Sequence, residues 1–193
     1  QTILDADSRF RRPRPSRKKR VAVVTMGVKL GDETRGYTRF RFLSELLVRE
    51  GFEVELFTSS FQHWEKAQRD TTRECYRAQP YRISFIQEPG YQKNLDLARI
   101  NSHRIAAKTL RAMLRERFEA DPRAFDLIYA EIPPNDVARV CAEEAHCNRI
   151  PFVADINDLW PEAMRMVVDI PVLSDIVFHP FSRDAHEGYR LLS

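Results

Sequence analysis

The stretch ADINDLWPEA, residues 154–163, sets two carboxylates, an amide, a tryptophan and a third carboxylate behind an apolar run. A turn that only reversed the chain would be served by Gly, Ser and Asn. Asp155, Asn157 and Asp158 can bind hydroxyls, orient a water or hold a cation, and Trp160 offers a flat face on which a sugar ring can stack. Glu162 follows Pro161. A second reading is open: Trp160 belongs to the core and Pro161-Glu162 begins a helix. No His or Cys stands beside these carboxylates to complete a cage, so no metal is expected.

Two other stretches are chemically unusual. GVKLGDETRG, residues 27–36, is a loop with three glycines that opens a helix. Free N–H groups and the helix dipole at such a place can meet a phosphate or a sugar hydroxyl, although a plain turn would look the same. The spacing matches neither GxGxxG nor the P-loop pattern. Glu131-Ile132-Pro133-Pro134 places a carboxylate ahead of a stiff turn, and it reads equally well as a helix start capped by Asn135 or Asp136.

The elements that must carry these stretches follow from periodicity. VAVVTM, residues 21–26, is a continuous β-branched run of the kind buried on both faces of a parallel sheet. TRFRFLSELLVREG then spaces Phe40, Leu43 and Leu47 helically with Leu46 beside them, and Gly51 stands where a C-cap glycine belongs. FEVELFTSS is a second strand and YRISFIQEP a third. Residues 60–79 are polar and ambiguous, with an irregular helix as the reading. A long helix is expected from about Asn94 to Phe118, with Ala106, Ala107, Leu110, Met113, Leu114 and Phe118 on one face. FDLIYAEIPP, DVARVCAEEAH and RIPFVADI complete a strand, a helix and a fifth strand. Strands alternating with helices imply an α/β, doubly wound, Rossmann-like domain with a mainly parallel sheet. Ligands of such sheets bind beyond the carboxyl ends of the strands, where all three unusual stretches would arrive.

The chain has 193 residues, 43% apolar and 31% charged, enough for one domain with its own core. No run is long and apolar enough for a spanning helix, and no secretory signal is visible, so a cytoplasmic protein is expected. Cys75, Cys141 and Cys147 fit neither a disulfide framework nor a zinc site. Residues 9–20 hold eight basic residues, and without residues 1–20 the chain carries 23 basic against 26 acidic groups. The reading is therefore a basic, flexible tail over 1–20 and a domain over 21–193, and a net-negative body argues against nucleic acid as the partner.

VADINDLWPEAM, placed behind RIPFVADI, resembles the "eiRDLWPe" segment of family 4 glycosyltransferases of the two-domain GT-B type, in the subgroup that builds bacterial surface polysaccharides. DETRGYTRFRFLSELLVREGFEVELFT is similar to that family's glycine loop, first helix and following strand, and LIYAEIPPNDVA to its "spP" turn. The resemblance covers about residues 21–165 and implies the N-terminal, acceptor-side half of a GT-B enzyme. It implies retaining hexosyl transfer from a nucleotide diphosphate sugar to a saccharide or lipid-linked acceptor, with no obligatory cofactor. The donor-binding C-terminal domain would come from the same chain or a partner, and this half alone would be inactive. By position, Gly31 to Gly36 would approach the donor phosphates, with Gly36 the best match. Asn157 and Asp158 would face the acceptor as catalytic residues. Arg39, Glu131, Trp160 and Glu162 complete the implied substrate site. Relatives commonly carry Arg or His where this chain has Asn157, and Asn can bond a hydroxyl but cannot take its proton.

A lipid-linked acceptor would place the protein at the inner membrane face. Arg104, Lys108, Arg111 and Arg115 form a stripe on the long helix that an anionic membrane surface would attract. The stripe reads equally as a solvated face partly neutralised by Glu116 and Glu119. A stand-alone α/β binding module and a nucleic-acid binder driven by the tail are the alternatives to the glycosyltransferase half.

Overall fold

The computed structural model describes residues 17–31, 33–94 and 96–157. Trp160, Glu162 and Asp158 lie outside the described residues, as do residues 1–16 of the expected tail. Five strands form one sheet: β1 (Arg20–Thr25), β2 (Glu53–Ser59), β5 (Arg82–Ile86), β6 (Leu127–Ile132) and β7 (Phe152–Ile156). Their order is β5-β2-β1-β6-β7, and every pairing is parallel. Helices cover both faces. α1 (Arg39–Arg49) packs over Val21, Val23 and Leu56, while α3 (Leu97–Ala120) and α4 (Asn135–Cys147) pack over Ala22, Val24, Phe57 and Ile128. The described residues form a Rossmann-like α/β domain with a parallel sheet, as the alternation of strand and helix patterns implies.

The central strand shows why. Val21 to Val24 are at most 1% exposed, because a strand covered by helices on both sides can hold only apolar residues. α1 buries Phe40 completely and Leu43 and Leu47 in part, and leaves Leu46 exposed. Gly51 follows its C-cap at φ +90°, and the Gly51 and Phe52 N–H groups return to the Val48 and Leu47 carbonyls. α3 buries the expected stripe from Ala106 to Phe118.

Three local readings change. Residues 60–79 hold an antiparallel pair of two-residue strands, β3 (Phe61–Gln62) and β4 (Ala67–Gln68), followed by the short α2 (Glu74–Arg77), in place of an irregular helix. Side-chain bonds hold this hairpin, and they leave no hydrophobic period in the sequence. α4 has Pro134 at its N-cap with no side-chain cap, so neither Asn135 nor Asp136 caps it. The domain also begins before Val21. Arg17 pairs with Asp126, and Arg20 opens β1 and pairs with Asp121, so the end of the basic stretch is tied to the chain around β6.

Gly90, at φ +80°, sits directly on Phe61: a Cβ there would lie 2.4 Å from the ring. Gly90→Ala is therefore expected to cost about 1–3 kcal/mol, read as a lowered midpoint in urea denaturation.

Candidate functional site at the carboxyl edge of the sheet

Strand order changes direction between β1 and β6, and the crevice beyond their carboxyl ends holds a cavity of about 290 Å³. Its floor is Glu131, the penultimate residue of β6, only 5% exposed. One carboxylate oxygen accepts from the Thr25 hydroxyl at 2.5 Å and the Met26 N–H at 3.1 Å, both at the exit of β1. The other accepts from the Asn157 side-chain amide at 2.5 Å, at the exit of β7. Burial pushes the Glu131 carboxyl up, and bonds from Thr25, Met26, Asn157 and Gly27 pull it back. Glu131 thus ties three strand ends together while facing the cavity.

One wall is aromatic. Trp64, in the β3–β4 turn, meets Tyr37 edge-on with ring centroids 5.0 Å apart, and it also lies against Gly27. A Cβ on Gly27 would reach the Trp64 ring at 3.0 Å, so this glycine lets the wall close on β1. The opposite side is polar. Tyr91 and Glu88 come from the loop after β5, and Arg99 and His103 from the first turns of α3. Glu88 is buried, with both oxygens held by the Ser59 and Ser102 hydroxyls, and burial pushes its carboxyl up. The Tyr91 hydroxyl contacts His63 Nδ1 at 2.6 Å, and burial pushes its value up to about 12.

Of the residues expected at the site, Glu131 and Asn157 meet directly and line the cavity. Gly31 and Gly36 do not line it. Gly31, at φ +53°, packs against Cys75 and Tyr76, and Gly36, at φ +129°, lies over the Lys29 backbone. Both glycines answer to the loop's own path: the Lys29 N–H donates to the Tyr37 carbonyl and the Tyr37 N–H to the Gly27 carbonyl across it, and a Cβ would crowd Cys75 at Gly31 and the Lys29 backbone at Gly36. Arg39 pairs with Asp155 at 2.8 Å, and the same carboxylate accepts from the Tyr129 hydroxyl at 2.6 Å. Asp155 therefore braces α1 against the sheet. The basic stripe is not a free cationic face either. Arg111 pairs with Glu143, and Arg115 with Glu144 at 3.0 Å, both on α4, while Arg104 and Lys108 remain exposed.

His63, Trp64, Glu88, Tyr91, Arg99 and His103 were not singled out by the sequence. A His-Trp pair inside a polar stretch, and a histidine four positions after an arginine near a helix start, were the available signals. Among the described residues no three His, Cys, Asp or Glu side chains are grouped to hold a metal ion, and no helix is long and apolar enough to cross a membrane.

No family model matches the chain, and no curated protein matches it. Among solved structures it is similar to the C-terminal domain of PF1911 hydrogenase from Pyrococcus furiosus, at 15% identity over 74% of this chain and 96% of that one, with a TM-score of 0.48. So remote a likeness carries no argument about function.

Proposed function

We propose that the chain is the acceptor-side half of a retaining, GT-B-type family 4 glycosyltransferase. It would move a hexosyl group from a nucleotide diphosphate sugar to a saccharide or lipid-linked acceptor in surface-polysaccharide synthesis. The supporting observation is the junction of Glu131 with Thr25, Met26 and Asn157, since it joins two of the stretches that carry the family resemblance to the exit of β1 around one cavity. In this reading the Trp64 and Tyr37 rings supply an apolar wall for a pyranose ring, and Asn157 bonds an acceptor hydroxyl. Asp158 is the nearest carboxylate along the chain for work on that hydroxyl. Glu131 holds the arrangement in place. The donor, with no further cofactor, would be gripped mainly by a second domain, and the diphosphate leaving group would be stabilised there by N–H groups and cations.

The test is sugar transfer by the full-length product of the reading frame, together with any partner frame, against a panel of nucleotide diphosphate sugars. Transfer is expected, and Glu131→Gln is expected to lower kcat about a hundredfold. The substituted amide would set a donor against the Met26 N–H or the Asn157 amide, a loss of about 3 kcal/mol in positioning. Asp158→Ala should reduce transfer far more than stability. If the frame supplies no second domain, and no nucleotide sugar is bound or turned over, the reading is wrong.

A further inference from the structure

The aromatic wall of the cavity does not end at Trp64. His63 meets that ring edge-on with centroids 5.1 Å apart, and Tyr91 lies 5.7 Å beyond His63. All three rings line the cavity, and the β3–β4 turn supplies the first two.

Hydrogen bonding fixes the tautomer of this imidazole. Lys66 Nζ, anchored on the Asn94 side-chain oxygen at 2.7 Å, lies 3.3 Å from His63 Nδ1. An ammonium can only donate, so Nδ1 is an acceptor and carries no proton. The Tyr91 hydroxyl, at 2.6 Å, then donates to the same nitrogen. An imidazole bare at Nδ1 holds its one proton on Nε2. Burial first, then Lys66 and Arg99, push the His63 value down to about 4, which agrees with a neutral ring. Nε2 makes no hydrogen bond among the described residues, and it is not one of the buried polar atoms left without a partner, so it is open to a ligand. His103, the other imidazole on the cavity, differs. It stands edge-on to Tyr91, and neither of its nitrogens is bonded among the described residues, so no neighbour selects its tautomer.

The other buried polar groups of the cavity are acceptors when charged. Glu131 Oε1 takes one bond, from Asn157, and a carboxylate oxygen has two positions. Glu88 likewise takes one bond on each oxygen, from Ser59 and Ser102. A ligand lying on the Trp64 ring must therefore offer protons to carboxylates and an oxygen to His63. A set of hydroxyls does both, whereas an ammonium or a carbonyl does only one.

We propose that His63 is a specificity-determining residue of the cavity, its Nε2–H donating to one hydroxyl oxygen of a neutral pyranose stacked on Trp64, with Tyr91 as the positioning residue that holds the tautomer. This rests on the acceptor reading of the cavity. A sugar without that hydroxyl would leave the imidazole proton unpaired, and the site would discriminate against it.

The experiment measures binding of the methyl glycosides of glucose, galactose and mannose, and of their monodeoxy analogues, to the 193-residue chain by nitrogen NMR of the histidine rings. The free chain should show the His63 proton on Nε2, and Tyr91→Phe should release part of the ring into the other tautomer. One glycoside is expected to shift the Nε2–H signal, and its analogue lacking the bonded hydroxyl to bind about tenfold more weakly. His63→Asn keeps an acceptor near Nδ1 for Tyr91 but has nothing at Nε2, so glycoside and analogue should bind it equally. His63→Gln places an amide donor near Nε2 and should restore the discrimination. His63→Phe replaces the asparagine variant if that one fails to fold. A free-chain proton on Nδ1, no glycoside that moves the Nε2–H signal, or a tenfold preference that persists in the folded Asn or Phe variant would overturn the proposal. If a glycoside moves the Trp64 and Asn157 signals and leaves His63 untouched, the role of His63 fails and the acceptor reading stands. If His63 responds as described and full-length enzyme turns over no nucleotide sugar, the cavity binds a pyranose and the glycosyltransferase reading fails.

Discussion

Arg69→Met is expected to cost about 3–5 kcal/mol of folding stability and to disorder the cavity wall. Arg69 and Glu33 form an ion pair with side chains only 2% and 7% exposed. The Arg69 guanidinium donates to both Glu33 oxygens, at 2.6 and 3.0 Å, and to the backbone carbonyls of Ser59 and Val28. Glu33 also accepts from the Leu30 N–H and the Gln62 amide. One pair thus fastens the glycine loop to the end of β2 and to the β3–β4 hairpin, whose turn carries His63 and Trp64. Methionine has comparable length but leaves a buried carboxylate without its cation and two carbonyls without their donor. Urea denaturation should show the loss, and Trp64 fluorescence in the folded variant should shift toward that of a solvated indole. Replacing Glu33 by Leu in the same chain should recover much of the stability, since it removes the stranded charge. A loss below about 1 kcal/mol in the single variant would mean the hairpin is held by other contacts.

That ion pair also explains what the sequence could convey. The main strands and long helices were legible because each needs a repeating apolar face: VAVVTM can hardly be anything but a central strand, and Leu110, Leu114 and Phe118 can only line one side of a helix. Arg69 and Glu33 are 36 positions apart and carry no period, so the hairpin they hold was invisible. With it went His63 and Trp64 and their share of the cavity. The strand-exit side was readable, since parallel-sheet topology sends Glu131 and Asn157 to one edge before any coordinate is known. The glycine loop was located correctly, yet its glycines answer to the path of the loop, with Gly31 facing Cys75 instead of the crevice. For the α3 stripe, proximity in sequence offers Glu116 and Glu119 as neutralising charges. The ion partners of Arg111 and Arg115 lie on α4, and only tertiary packing reveals them.

The second large effect is loss of stability in mild acid, driven by His103 and His63. Both imidazoles have folded-state values below their ordinary 6.5, about 3 for His103 and about 4 for His63, with burial as the leading cause. Between those values and 6.5 the unfolded chain holds protons that the folded chain refuses. The stability is present above pH 6.5 and drains away as pH falls toward the folded values. From pH 7 to pH 4 His103 should contribute a loss on the order of 3 kcal/mol, and His63, part exposed and screened, a smaller share. Glu88 and Glu131 act in the opposite sense. Burial raises both, so the folded protein takes up their protons first and acid relieves a strain at the low end of the range. The histidine contribution is therefore isolated by difference. Urea midpoints measured from pH 7.5 to pH 4 for the parent chain and for His103→Gln should converge as pH falls, because glutamine does not titrate and leaves the carboxyls as they were. Parallel curves would mean that the His103 ring protonates freely in the folded protein, and that the polar end of the cavity is open to water.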